Sequence, residues 1–271
     1  MQVIDYDIKI AVNDITISYF DEGQKGKATL IFIHGFPFNK HMWDMQIVAL
    51  KRKYRVIAYD IRGHGNSEFG NSDFSIELFV SDLIGIMNAL KIDKAMLCGL
   101  SMGGYIALKA VEKHPERFTA LVLCDTNCMA DSPETKETRL KSIENIMEMG
   151  VEKFADAMLQ KLFLPDSFIT ISTVIAAVKS MILKTSEQSL CNTLVALSQR
   201  QETCSKLNEI KIPVLILVGE DDIITPPDVA KAMHEKIANS NLFIIPYAGH
   251  VSNLENPNEF NDQLQEFLSK V

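Results

Sequence analysis

Leu97-Cys98-Gly99-Leu100-Ser101-Met102-Gly103-Gly104 sets a serine between glycines, at the point where an apolar strand pattern gives way to a helical one. Before it, Lys94 to Cys98 reads as a short buried strand, and after it Tyr105 to Val111 reads as a helix. A serine at such a junction must take strained backbone angles. A glycine two residues to either side lets the neighbouring backbone pass with no Cβ in the way. The pattern therefore predicts a nucleophile elbow, with the Ser101 hydroxyl held at the end of a sheet strand, above a helix N-terminus. Met102 N–H, the first amide of that helix, would point at any oxyanion formed beside the serine.

Outward from this junction the chain alternates strand and helix. Asp7 to Val12 and Ile15 to Phe20 alternate apolar and polar residues around Asn13-Asp14, as an antiparallel hairpin at a sheet edge does. Thr29 to Ile33, Arg55 to Tyr59, Ala95 to Cys98 and Ala120 to Cys124 are continuous apolar runs instead, which fits parallel strands buried on both faces. Helical patterns over Ile76 to Leu90 and Met102 to His114 lie between them. From about Ala130 to Ile210 the strand signal stops. Thr135 to Met149, Val151 to Leu164, Phe168 to Leu183 and Glu187 to Cys204 show helical periodicity, broken at Gly150, at Pro165-Asp166 and near Thr185-Ser186. Alternation then resumes with Pro213 to Val218, a Val229 to Ile237 helix, Leu242 to Ile245 and an Asn258 to Leu268 helix. The expected architecture is α/β, a mostly parallel central sheet with helices on both faces. Its core spans residues 1–129 and 211–271, and a helical cap at 130–210 enters before the last two strands. Ligands in such sheets sit beyond the carboxyl ends of the strands, so the insertion would cover the site as a lid. Its Met147, Met149, Met158, Phe154, Phe163, Phe168 and Met181 either line an apolar pocket or form the lid's own core.

Composition narrows the function classes. The 271 residues are 47% hydrophobic, ample for a large core. A balance of 27 basic against 35 acidic residues, net charge −8, argues against a nucleic-acid groove or an anionic membrane surface as partner. The five cysteines are odd in number and contain no Cys-x-x-Cys pair, so they read as reduced structural thiols rather than a disulfide framework or a zinc ribbon. No histidine and carboxylate cluster has metal-ligand spacing, and neither a metal nor an organic cofactor is expected. Met1 to Asp7 lacks the basic and long apolar regions of a leader, and no run approaches the roughly 20 apolar residues of a membrane helix. A cytoplasmic protein is the default expectation.

The unusual residues gather at strand ends. In His34-Gly35-Phe36-Pro37, Gly35 permits a tight turn that presents Phe36 N–H as a second oxyanion donor opposite Met102 N–H, with His34 structural. Asp60-Ile61-Arg62-Gly63-His64-Gly65-Asn66-Ser67 reads as scaffold, His64 included. In Gly219-Glu220-Asp221-Asp222, either aspartate could accept the Nδ1–H of a histidine and stabilise the imidazolium formed during proton transfer. His250, in Tyr247-Ala248-Gly249-His250, follows Asp222 by about the length of one strand–helix–strand step, so adjacent strands would bring the pair together. The chain order is Ser, Asp, His.

These blocks, His34-Gly35, Asp60 to Ser67, Gly99 to Gly104, Gly219 to Pro226 and Gly249-His250, resemble the α/β-hydrolases, and the likeness runs through nearly the whole chain. Thr225-Pro226-Pro227 and His250 to Pro257 are similar to the 3-oxoadipate enol-lactonase and small carboxylesterase group. The resemblance implies the acid three residues after Gly219, which is Asp222, with Asp125 at the preceding strand end as the reserve. It implies a serine hydrolase acting on a small to medium ester or lactone through Ser101, His250 and Asp222, with Phe36 and Met102 amides as the oxyanion hole and no cofactor. Haloalkane dehalogenases and epoxide hydrolases are set aside, because they carry a carboxylate where this chain has Ser101. Carbon–carbon bond hydrolysis, cofactor-free haloperoxidase or perhydrolase chemistry, and a slow-turnover small-molecule sensor are the alternative readings. Oligomeric state is left open.

Overall fold

The computed structural model describes residues 6–271; most of the N-terminal stretch read above for a leader lies outside the described residues. Eight strands form one sheet: β1 (Ile8–Val12), β2 (Ile15–Glu22), β3 (Thr29–Ile33), β4 (Arg55–Tyr59), β5 (Ala95–Leu100), β6 (Phe118–Cys124), β7 (Val214–Gly219) and β8 (Ser240–Ile245). Their spatial order is β1-β2-β4-β3-β5-β6-β7-β8. β1 and β2 pair antiparallel, β2 pairs antiparallel with β4, and all further pairings are parallel. The sheet is the expected one, with the hairpin at its edge.

The continuous apolar runs have a direct packing reason. Along β3, Leu30 and Phe32 face one core while Ile31 and Ile33 face the other. The same division holds in β4 and in β5, where Met96, Cys98 and Leu100 oppose Leu97. Such strands have no wet face on which a polar residue could sit. Helices α2 (Ile76–Ala89), α3 (Met102–Lys113) and α8 (Pro227–Lys236) cover one side, and α1 (Asp44–Leu50) and α10 (Pro257–Leu268) the other. α1, preceded by a short turn of 3₁₀ helix at Lys40–Trp43, had no counterpart among the expected elements.

Between β6 and β7 lie only helices: α4 (Pro133–Leu162), α5 (Ser167–Thr170), α6 (Ser172–Lys184), α7 (Glu187–Gln199) and the short 3₁₀ turn Cys204–Glu209. Ser132 caps α4 by accepting from Thr135 N–H. At Gly150 the backbone takes φ 82°, ψ 165°, which kinks α4 where the periodicity breaks. Expected boundaries shift in two places. Phe168 to Leu183 is divided at Ile171, and the helix expected to run to Cys204 stops at Gln199 because Arg200 turns extended, at ψ 141°. That turn sends the Arg200 guanidinium onto Asp131, buried at the other end of the insertion.

The cysteine reading needs correction. Cys128 and Cys204, 76 residues apart, form a disulfide, and only Cys98, Cys124 and Cys191 are free thiols. An odd count with no close spacing gives no sign of a pair that meets only because the two ends of the insertion return to one place. No helix of the described residues is long and apolar enough to cross a membrane. A last short helix, α9 (Ser252–Glu255), precedes α10.

Leu97 is fully buried in β5, four residues before Ser101. Leu97→Ala is expected to lower the unfolding free energy by about 2–5 kcal/mol, measured by urea denaturation. A loss under about 1 kcal/mol would mean that β5 is not the packed centre described here.

Candidate active site

The elbow forms as its residue pattern requires. Ser101 stands between β5 and α3 at φ 52°, ψ −114°, a strained geometry for a residue with a Cβ, costing on the order of 1–3 kcal/mol. The surroundings hold it there. Ser101 N–H donates to Cys124 O (2.9 Å), while Ser101 O accepts from Gly104 N–H (2.9 Å) and Thr126 Oγ1–H (2.7 Å). A Cβ on Gly99 would strike Gly103 O, and one on Gly103 would strike Ile33 O, so both glycines are required by close approach of backbone.

His250 follows β8 and Asp222 follows β7, the neighbouring strand. His250 Nε2 lies 2.9 Å from Ser101 Oγ, and His250 Nδ1 lies 2.8 Å from Asp222 Oδ2. With Nδ1–H donating to the carboxylate, Nε2 is free to accept from the serine hydroxyl. Asp222 and His250 are buried, whereas Ser101 is partly exposed. Burial alone would favour the neutral carboxyl of Asp222. The His250 charge, with hydrogen bonds from His250 and Thr225, outweighs it and holds Asp222 below the usual carboxylate range. Burial likewise opposes charge on His250, but Asp222 opposite it raises the imidazole above its ordinary value. Asp222 Oδ1 accepts Ile224 N–H (2.8 Å) and Thr225 N–H (3.0 Å), and Thr225 Oγ1–H donates to Oδ2 (2.6 Å). Thr225 was not among the expected site residues, although an aspartate followed two and three residues later by free amides is a local turn signal.

Of the two adjacent aspartates, Asp222 is the one that bonds His250. Asp221 is exposed, and its amide donates to Ala248 O. Asp125, the reserve, does not bond His250. Its carboxyl instead receives Gly219 N–H (2.8 Å) and lies 2.6 Å from Ser252 Oγ, tying the end of β7 to the residues after His250. Burial, with the Asp222 charge adding to it, pushes Asp125 up to about 8.

The loop after β3 approaches the same place. Phe36 N–H and Met102 N–H have no hydrogen-bond acceptor among the described residues, so both amides are free for a ligand oxygen. His34 is buried; Ile61 N–H donates to its Nε2 (3.0 Å), which leaves Nδ1–H for Gly35 O (2.8 Å) and braces the turn before Phe36. Burial, and then the nearby His64, hold His34 well below the usual imidazole range. His64 is buried too, pushed down to about 4, with Nδ1 on Arg62 O (3.1 Å). Asp60 receives Lys40 Nζ (2.7 Å) and Asn66 N–H (2.9 Å), and Arg62 pairs with Asp82 (2.7 Å). Both act as scaffold, as expected.

A groove of about 350 Å³ opens in the helical insertion, lined in part by Met149, Phe154, Met158, Leu194, Lys153 and Ile224. The Phe154 ring lies 6.1 Å from the Phe36 ring, so the groove wall abuts the turn that carries the free amide. Of the other lid residues named from the sequence, Phe163 and Met181 are buried, Phe168 packs against the core, and Met147 is 73% exposed. Met147 neither lines the groove nor belongs to a lid core.

Residues 28–166 match the family model described as alpha/beta hydrolase fold, and residues 178–270 match one described as TAP-like protein. The chain is similar to a 3-oxoadipate enol-lactonase of Acinetobacter baylyi, 27% identical over all of this chain and 99% of the relative. Among solved structures it is similar to a thermophilic esterase from Thermogutta terrifontis, at 32% identity, TM-score 0.92 and 98% of each chain. It is also similar to the enol-lactonase from Burkholderia xenovorans, at 27% identity, TM-score 0.91, 97% of this chain and all of the other.

The electrostatics of the buried pair are open to direct measurement. A carboxylate 2.8 Å from Nδ1 favours imidazolium, so His250 should titrate above the ordinary imidazole value of about 6.5 when followed by ¹⁵N NMR of its ring. Asp222→Asn removes the negative charge and should bring the midpoint down. An unmoved midpoint would show that Asp222 does not control the charge of His250.

Proposed function

The chain belongs to the α/β-hydrolase family, and from that membership we propose that it is a serine hydrolase cleaving a small to medium carboxylic ester or lactone by two-step acyl transfer. The unbroken hydrogen-bond chain from Ser101 Oγ through His250 to Asp222 carries the proposal. In the first step Ser101 Oγ attacks the carbonyl carbon while its proton passes to His250 Nε2. Asp222 stays ionised, orients the ring and balances the imidazolium. The carbonyl electron pair moves onto oxygen, where the free amides of Phe36 and Met102 receive it. Collapse breaks the bond to the alkoxy oxygen, which takes the proton from His250. In a lactone this oxygen stays tethered to the acyl group. Water, deprotonated by His250, then attacks the acyl-serine; the bond from the acyl carbon to Ser101 Oγ breaks, Oγ takes the proton back from His250, and the acid leaves.

In this reading residues 1–129 and 211–271 are the catalytic core, and 130–210 are a cap over the carboxyl ends of the strands. The substrate is a small molecule, and the groove beside Phe154 takes its apolar acyl or alcohol part. Names given to similar proteins, enol-lactonase and esterase, support the ester or lactone class.

Ser101→Ala should lower turnover of a p-nitrophenyl acyl ester by about 10⁴-fold or more, with the fold intact by circular dichroism. Undiminished hydrolysis by the folded variant would end the proposal. The reaction needs neutral His250, and Asp222 raises its affinity for protons. The acid limb of kcat/KM should therefore have its midpoint above the ordinary imidazole value of about 6.5, losing activity as pH falls through it. A midpoint at or below about 6 would contradict the assignment of His250 as the base.

A further inference from the structure

The loop that carries His250 is held from two sides. On the core side Asp125 binds Ser252 and the end of β7. On the other side the partners come from the helical insertion. His250 N–H donates to Leu162 O (3.0 Å), at the C-terminal end of α4. Glu255, in α9, completes the attachment: its Oε2 accepts Gly249 N–H (2.6 Å), while its Oε1 accepts Leu164 N–H (2.8 Å) and Ser167 Oγ–H (2.6 Å). One carboxylate thus joins the amide immediately before His250 to Leu164, between α4 and α5, and to Ser167, the first residue of α5.

We propose that Glu255 is a positioning residue through which docking of the helical insertion sets the place of His250. Among the described residues its carboxylate has three donors and no cation bonded to it, so an acceptor at both oxygens is what the site demands. Burial raises its affinity for protons, partly opposed by the hydrogen bonds from Ser167, Leu164 and Gly249. If the segment from Leu162 to Ser167 moves away, Glu255 loses the partners of Oε1, and His250 N–H loses its acceptor. The ring would then be held from the core side alone. Alignment of the base follows docking of the insertion, which couples closure over a substrate to assembly of the reacting groups. This inference rests on the reading of His250 as the general base.

Glu255→Gln keeps the size and replaces one acceptor with an NH₂ that faces an N–H or O–H donor. Misplacing a reacting group by about 1 Å costs on the order of a hundredfold, so kcat for a p-nitrophenyl ester should fall about tenfold to a hundredfold while KM changes by less than about threefold. The His250 ring ¹⁵N resonances should shift or broaden. Ser167→Ala, which alters only the insertion side, should lower kcat in the same direction by a smaller factor, and the double variant should be no worse than Glu255→Gln alone. Folded Glu255→Gln with wild-type kcat and unmoved resonances would overturn the proposal, as would purely additive losses in the double variant. Should Glu255→Gln fail to fold, Ser167→Ala decides by its own kcat and resonances. Absence of ester turnover in the wild type would sink the hydrolase reading, while the resonances would still test the coupling.

Discussion

Parallel register is the constraint on which the site depends. Leu100 at the end of β5 pairs with Cys124, Cys124 pairs with Leu217, and Leu217 pairs with Phe243, so β5, β6, β7 and β8 finish at nearly one level. Ser101, Asp125, Asp222 and His250 all follow those ends. A slip of a single residue in β7 would exchange the side chains it presents to the two cores, Val214, Ile216 and Val218 on one face and Leu215 and Leu217 on the other, and both close-packed cores would have to repack. The 2.9 Å and 2.8 Å hydrogen bonds through His250 are therefore a consequence of how Leu97, Val122, Leu217 and their neighbours pack, more than of any local preference in the loops.

Two devices tie the helical insertion to this frame. At its neck, the Cys128–Cys204 disulfide and the pairing of Asp131 with Arg139 and Arg200 join the entering and leaving strands of chain. The Arg200 guanidinium also lies over the ring of Tyr105 in α3, 4.2 Å away, one helical turn beyond Ser101. At the far side, Glu255 and the Leu162 carbonyl fasten the insertion to the His250 loop. The bridge is a feature of oxidising surroundings more than of reducing ones, so it lends no support to the cytoplasmic default.

Much of this was legible in the residues. Continuous apolar runs marked the buried parallel strands, and Gly99-x-Ser101-x-Gly103 marked the strained turn because only glycine admits the backbone contacts at those two positions. The order Ser, Asp, His, with the last two one strand step apart, located the cluster. What stayed hidden depends on contacts made at a distance. Nothing local pairs Cys128 with Cys204, and Glu255 looks like an ordinary acidic residue near a helix start until Leu164 and Ser167 arrive from the insertion. Asp125 had the right strand end for a reacting acid, but its carboxyl is consumed by Gly219 and Ser252. α1 escaped notice because Asp44–Leu50 is only 7 residues long, too short for its periodicity to stand out.

The central claim is that Ser101 is a nucleophile activated by His250, and covalent capture tests it without any choice of substrate. Treatment with a fluorophosphonate, followed by proteolysis and mass spectrometry, should place a single phosphonyl adduct on Ser101, formed far more slowly in a folded His250→Ala variant. Failure to label Ser101, or labelling at the same rate without His250, would contradict it.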